Sequence, residues 1–197
     1  QSLTLFIHGS NQTKFPTRQS KESITEIIDK SKLKNYVIIE QNQYAIDQGV
    51  FHNDIISFGY KNRLFCHEYA FKNQKKTINN IKKLFFKLTN EHLTIIEIKD
   101  KELTISEAVK SYLFNSQILI TKNKDQLICP MDIKKNIKTF KLLKRWTDNK
   151  LIQKFHFIDI KSSLMNGGGP ACLRLAIYLT KEEIKQVPKH FILNDKK

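Results

Sequence analysis

Apolar and polar residues follow two regular patterns along the chain. Strict alternation indicates half-buried strands, whereas apolar residues spaced three or four apart indicate amphipathic helices. The alternating pattern predicts strands over residues 3–9, 35–41, 50–59, 62–69, 93–98, 116–121, 125–130, 153–160 and 172–179. The helical pattern predicts helices over residues 18–33, 77–89, 106–113 and 133–147, with a final helical turn around 181–187. Together they predict an α+β protein.

The predicted elements repeat in order. Strand, strand, helix, strand occurs at about 50–98 and again at 114–160, and Cys66 and Cys129 hold the same place in the two predicted hairpins. A period of about 60 residues in ββαβ units is typical of a repeat architecture. Residues 1–49 would then be the tail of one unit, and residues 165–197 the start of a further one. A plain α+β sandwich with a coincidental repeat is the alternative.

The first residues, QSLTLFIHG, lie within an apolar, strand-like run that lacks an initiator Met and a leader pattern. Since a domain seldom begins inside a strand, we expect an incomplete chain. No apolar run in the sequence approaches the roughly 18 residues of a membrane span, so no membrane partner is expected.

The formal net charge of +15 raises the question of a nucleic-acid partner. Almost all of the basic residues are dispersed lysines, and arginine occurs only at positions 18, 63, 145 and 174. Specific nucleic-acid surfaces use arginine more heavily, because its planar fork binds in a bidentate way. We therefore expect weak, salt-sensitive binding to polyanions and no specific nucleic acid.

The three cysteines lie far apart in the sequence, at positions 66, 129 and 172, and form no C-x-x-C motif. Disulfide and zinc interpretations are weak, and a reducing cytoplasm is the simpler setting. Cys66 and Cys129 end apolar runs and are expected to be buried, inert thiols.

Cys172 stands in a different context, SSLMNGGGPACLRL, which holds three of the six glycines. Glycines allow a backbone to approach a ligand closely, and a stabilised, accessible thiolate is a nucleophile. The stretch lacks the Lys-Ser/Thr ending of a phosphate-binding loop. From these residues alone, a nucleophile and a simple glycine-rich turn remain equally open.

A cysteine nucleophile needs a proton shuttle, and His52 is the leading histidine because Asp54 follows it in GVFHNDIISFG. On a strand the two side chains would share one face. A structural strand histidine beside a solvated Asp is the alternative. His156 lies between two phenylalanines and is expected to be structural, while His67 fits either role.

Four motifs carry a resemblance to a known family. GVFHNDIISFG, RLFCHEYAF, SLMNGGGPACLRL and FPTRQS together resemble the succinylarginine dihydrolase family, in family order and across essentially the whole chain. The resemblance implies the pentein fold, a five-bladed pseudo-propeller of ββαβ units. It implies hydrolysis of the guanidinium of N-succinylarginine to N-succinylornithine, ammonia and carbon dioxide, without a metal or organic cofactor.

The resemblance also implies roles for particular residues. Cys172 matches the nucleophile and His52 the acid/base. The substrate contacts of the family match three further residues: Arg18, Asp54 and Asn166. Asp54 would pair with the guanidinium, and Arg18 would hold a carboxylate of the doubly acidic substrate.

Members of the family also use a catalytic Glu from an earlier unit, and no residue of this sequence matches it. The chain alone is therefore expected to be inactive or very weak. An inactive remnant and a basic binding module are the competing interpretations. Beyond the small-molecule substrate, a homodimer or a complementing chain is the expected partner.

Overall fold

A computed structural model describes residues 2–9, 14–121, 124–166, 168–173 and 180–188. It contains strands and helices in mixed order, as an α+β fold requires. The strands are β1 (Thr4–His8), β2 (Tyr36–Glu40), β3 (Ser57–Tyr60), β4 (Arg63–His67), β5 (Thr94–Ile98), β6 (Gln117–Thr121), β7 (Lys124–Pro130) and β8 (Lys154–Ile158). The α-helices are α1 (Lys21–Ser31), α2 (Gln43–Asp47), α3 (Gln74–Thr89), α4 (Ile105–Ser111), α5 (Ile137–Asp148), α6 (Lys161–Met165) and α7 (Lys181–Gln186).

The described strands form three sheets. β1 and β2 pair in parallel, while β3-β4-β5 and β6-β7-β8 form two three-stranded sheets with the same topology. In each of these, the first two strands form an antiparallel hairpin and the third pairs in parallel with the second. Parallel neighbours need a crossover, and α3 and α5 provide it.

The helix and strand predictions are confirmed for most of the described chain, with ends that differ by a few residues. Two predictions are wrong in part. Residues 50–56 are not a strand, because a 3₁₀ helix, Asn53–Ile55, precedes β3. Cys172 lies in a 3₁₀ helix, Pro170–Leu173, rather than at the start of a strand, and residues 174–179 lie outside the described residues.

The core joins the two three-stranded sheets. Trp146 of α5 is fully buried and meets Phe65 of β4 edge to face at a centroid distance of 4.8 Å. Phe58 of β3 stacks on Phe65. Phe58 and Phe114 each meet the Trp146 indole edge to face. Aromatic pairs of this kind add to the free energy of area burial and favour one relative orientation. The packing therefore fixes the end of β3 that leads back to the His52–Asp54 segment.

Polar contacts link the two hairpins at their other end. Asp125 of β7 accepts hydrogen bonds from the Tyr60 hydroxyl at 2.5 Å and the Lys61 ammonium at 3.0 Å. The Arg63 guanidinium donates to the carbonyl of Leu151 at 3.0 Å. These bonds hold the β3-β4 turn against the second sheet, so the hairpin is fixed at both ends.

Glu107 connects α4 to α5 and provides a test of this packing. Its carboxylate accepts from Thr104 N, the Asn136 amide and the Lys138 ammonium. Burial favours the neutral acid, but these donors outweigh it and lower the pKa of Glu107 to about 2. Because the folded pKa lies below the unfolded value, Glu107 stabilises the fold above the unfolded pKa, and this contribution disappears as the pH falls towards about 2.

We expect Glu107→Gln, which keeps the capping geometry but removes the charge, to cost about 1–2 kcal/mol at neutral pH. The melting temperature should fall by ~3–6 °C near neutrality and converge with that of the unmodified chain in acid. Thermal unfolding followed by circular dichroism across this pH range measures both effects. Glu183→Gln is the control, because Glu183 caps the exposed helix α7 in the same way. An equal loss in the control would contradict the cross-helix role of Glu107.

Candidate active site

The His52–Asp54 segment is anchored by its buried neighbours. Ile55 and Ile56 are essentially unexposed. The buried Asn53 donates from Nδ2 to the carbonyl of Ala70 at 2.6 Å and accepts from the Ser57 hydroxyl. With these three residues turned into the protein, the short 3₁₀ helix directs His52 and Asp54 towards its half-exposed side.

His52 and Asp54 form a direct pair, His52 Nδ1 to Asp54 Oδ1, with side chains 28% and 33% exposed. The sequence pattern predicted that the His52 and Asp54 side chains share one face of a strand. They meet instead across a 3₁₀ turn, because Ile55 N bonds to the carbonyl of His52 and Ile56 N to that of Asn53. The pair leaves Asp54 Oδ2 and His52 Nε2 available for other contacts.

Cys172 lies next to this pair. Its Sγ is 3.8 Å from Asp54 Oδ2 and 3.4 Å from Asn115 Oδ1, and the residue is exposed. Cys172 N bonds to the carbonyl of Gly169 at 2.9 Å, which closes the turn that carries the thiol. The structure thus places an accessible thiol, a carboxylate and an imidazole in one cluster.

The other two cysteines are in a different environment. Cys66 and Cys129 are buried at matching positions on β4 and β7, and burial raises the pKa of each thiol to about 12. A thiol of this kind is almost entirely protonated at neutral pH and a poor nucleophile. Cys172 is therefore the cysteine whose exposure permits chemistry.

Asn115 was not singled out by sequence analysis. It is fully buried at the end of a 3₁₀ helix, Leu113–Asn115, and donates from Nδ2 to Asp54 Oδ2 at 2.8 Å. The one available signal was a polar residue within the apolar run YLFNSQILI.

Tyr112, three residues before Asn115, also lies near Cys172 and Asp54. Burial raises the pKa of the Tyr112 hydroxyl, and nearby Cys172 and Asp54 raise it further.

Arg18 and Asn166 are placed differently. Arg18 is exposed on the segment after residue 14, and Gln19 beside it accepts a bond from Gly9 N through its carbonyl. Asn166 is exposed at the end of α6, where its amide donates to the carbonyl of Ser162 at 3.1 Å. Among the described residues, no hydrogen bond or ion pair joins either side chain to His52, Asp54 or Cys172.

A cleft of about 1000 Å³ reaches the cluster from one side. His52 and Asp54 line one end of it, together with Gln19, and most of its remaining wall comes from β1, β3 and α3. Cys172 is not among the residues that line this cleft.

The described residues offer neither a metal-binding cluster nor a membrane-spanning helix. In the part of the chain that the structure describes, no group of three His, Cys, Asp or Glu side chains could hold a metal ion. None of the described helices combines the length and apolar character needed to cross a bilayer.

Comparison with a solved structure identifies the fold. The chain matches the N-terminal domain of ArgZ, an arginine dihydrolase of the cyanobacterial ornithine-ammonia cycle, with a TM-score of 0.53 and 16% identity. The match covers 86% of this chain and 50% of that one. At this identity the match shows the fold alone, an α+β fold of the pentein type.

Sequence comparison identifies the particular family. A family profile for succinylarginine dihydrolase matches residues 1–197. N-succinylarginine dihydrolase of Shewanella putrefaciens is 41% identical over 205 residues, and that of Pseudoalteromonas translucida is 36% identical over 210 residues. The chain belongs to the succinylarginine dihydrolase family. It spans about half the length of these relatives, 45% and 46%, while the alignments cover 98% and 100% of the chain itself.

Proposed function

We propose that this chain provides the nucleophile and the acid/base of a hydrolase that converts N-succinyl-L-arginine to N-succinyl-L-ornithine, two molecules of ammonia and carbon dioxide. The observation that carries the proposal is the contact of the exposed Cys172 thiol with an Asp54 carboxylate that also pairs with His52. Membership of the family, whose relatives are named N-succinylarginine dihydrolases, supports the substrate.

The first half of the proposed reaction breaks one C–N bond. The Cys172 thiolate attacks the guanidinium carbon, and the tetrahedral adduct expels ammonia, to which His52 supplies a proton. This leaves a covalent thiouronium. Water deprotonated by His52 then attacks the same carbon, the C–S bond breaks, and the thiolate leaves N-succinylcitrulline as the product of this half.

The second half repeats the chemistry on the ureido carbon. Cys172 attacks again, a second ammonia leaves, and water releases a carbamate that decomposes to carbon dioxide and the ornithine amine. Asp54 would pair with the guanidinium charge in the first half, since charge-assisted hydrogen bonds are the strong ones. Arg18 and Asn166 would contact the carboxylates of the substrate, and this assignment rests on the motif match alone.

The domain arrangement is part of the same proposal. We infer a propeller of ββαβ units, with units at 50–98 and 114–160, from the matching topology of the two three-stranded sheets. The tail at 1–49 and the further unit at 165–197 remain predictions. The cytoplasmic location, the absence of a cofactor, and the homodimer or complementing chain also remain predictions.

The substrate is tested by incubating N-succinyl-L-arginine with a purified protein of the length of the curated relatives that carries these residues. Ammonia and N-succinylornithine are measured together. We expect two ammonia molecules for each N-succinylornithine, and at least a hundredfold lower kcat/KM, ~3 kcal/mol, for free arginine, which lacks the succinyl carboxylate. Accumulation of N-succinylcitrulline with one ammonia would contradict a dihydrolase. Equal use of free arginine would contradict the succinylated substrate.

The same assay tests the expectation that residues 1–197 alone are inactive or very weak. The 197-residue chain is compared with a protein of the length of its curated relatives that carries these residues. Ammonia release by the short chain that disappears in Cys172→Ala would contradict the expectation.

A further inference from the structure

A buried amide connects the two reactive parts of the candidate site. Asn115 is fully buried, yet both ends of its side chain have partners: Nδ2 donates to Asp54 Oδ2 at 2.8 Å, and Oδ1 faces Cys172 Sγ at 3.4 Å. A carboxylate only accepts hydrogen bonds, so the NH₂ group must face Asp54 and the amide oxygen must face the sulfur. The orientation of the amide is therefore determined by its partners.

This amide restricts the rotation of Asp54. Asp54 Oδ1 pairs with His52 and Oδ2 with Asn115, so each oxygen has one designated partner. A carboxylate held at both oxygens cannot turn about its side-chain bond without breaking one of the contacts. The imidazole contacts Oδ1 of this carboxylate, and the thiol lies 3.8 Å from Oδ2.

The glycine-rich stretch is shaped around the same amide. A Cβ at Gly169 would overlap Asn115 Oδ1 and would lie 3.0 Å from Tyr112 Cδ1. The backbone that carries Cys172 can approach Asn115 because position 169 has no side chain. Gly169 is thus explained by the close approach of the Asn115 amide and the Tyr112 ring.

We propose that Asn115 is a positioning residue, which aligns the Cys172 sulfur with the Asp54–His52 pair by bridging Asp54 Oδ2 and Sγ. It acts through its neighbours and needs no contact with the substrate. The proposal rests on the proposed function only for its turnover readout, because the reactivity of Cys172 can be measured without any substrate.

Two variants separate a positioning role from a structural one. Asn115→Asp keeps the shape but replaces the donor with a carboxylate beside both Asp54 and the sulfur. Asn115→Ser is too short to bridge them and adds no charge. Gln117→Glu is the matched control: Gln117 is buried two residues further on, and its amide donates to the carbonyl of Ile118.

The first readout is the rate of iodoacetamide alkylation of Cys172 in the 197-residue chain near neutral pH, located by mass spectrometry. We expect Asn115→Asp to slow it by about tenfold, because a negative charge beside the sulfur disfavours the thiolate, and Asn115→Ser to leave it within about twofold. A residue that does not contact the sulfur would give no such difference. Equal alkylation rates in both variants and the unmodified chain would contradict the contact between Asn115 and the Cys172 sulfur.

The second readout is turnover of N-succinylarginine in an active preparation. We expect both variants to lower kcat by about 10²-fold with KM within about threefold, since alignment matters in the transition state more than in binding. A kcat of Asn115→Ser within about threefold of the unmodified protein would overturn the proposal. So would unfolding of both variants while Gln117→Glu stays folded.

Failure of the proposed function can be distinguished from failure of the positioning role of Asn115. If a protein of the length of the curated relatives that carries these residues does not hydrolyse N-succinylarginine, the proposed function fails. The alkylation rates of Asn115→Asp and Asn115→Ser then still decide whether Asn115 lies against the Cys172 sulfur, as the contact at 3.4 Å requires.

Discussion

Cys172→Ala is expected to lower ammonia release from N-succinylarginine by at least about 10⁴-fold, to the background of the assay, in a protein of the length of the curated relatives that carries these residues. The side chain is the one exposed thiol among three cysteines, and it lies 3.8 Å from Asp54 Oδ2. The other thiols cannot replace it, because burial raises the pKa of Cys66 and of Cys129 to about 12. Steady-state ammonia release measures the effect.

The control is Cys66→Ala, which removes a buried sulfur that accepts from the Gln74 amide. We expect it to lower the melting temperature by a few degrees and to leave kcat/KM within about threefold. Iodoacetamide should modify Cys172 well before the two buried thiols in the same sample. Turnover that survives in Cys172→Ala, or equally slow modification of all three cysteines, would contradict the assignment of the nucleophile.

Most of the fold could be predicted from the sequence because local burial patterns determine it. Helix α3 has Ile78 and Ile81 on its buried side, at the spacing that predicted the helix. The repeated order of elements was visible because two three-stranded sheets share one topology, and each has a crossover helix with an apolar face. Cys66 and Cys129 were expected to be buried at equivalent places. Both are buried, Cys66 on β4 and Cys129 on β7.

The segment before β3 was wrongly predicted as a strand. Its apolar residues suggested a continuous extended run, but the neighbouring Ile55 and Ile56 are both buried. Successive residues of a strand point to opposite faces, so two adjacent core residues favour a turn at this place. The turn is completed by the bond from Asn53 to the carbonyl of Ala70, a partner 17 residues away that no local pattern reveals.

The candidate site was only partly predictable for a similar reason. Cys172, His52 and Asp54 carry recognisable motifs, and the structure brings them together. Asn115 has no motif: it lies 61 residues from Asp54 and 57 from Cys172, and its place depends on how the second hairpin packs against the first. Conversely, Arg18 matches a motif, but no hydrogen bond or ion pair joins it to the cluster among the described residues.

Asp54→Asn is expected to lower kcat/KM for N-succinylarginine by about 10²–10³-fold. The amide has the same shape, so the buried residues around it need not move, but it lacks the charge that would pair with the guanidinium. It also alters the contact with His52 Nδ1, which in the structure is made by a carboxylate oxygen. Initial rates over a range of substrate concentrations give the change in kcat and KM.

The charge dependence is tested by comparing two substrates. The ureido group of N-succinylcitrulline carries no charge, so we expect the loss in Asp54→Asn to be at least about tenfold smaller for it than for N-succinylarginine. The control is Asp100→Asn at the other described His–Asp pair, where Asp100 Oδ1 lies 3.6 Å from the buried His67 and accepts from Ile105 N. This control should keep kcat/KM within about threefold. An equal loss for both substrates would show that Asp54 acts by orienting His52 and not by pairing with the guanidinium charge.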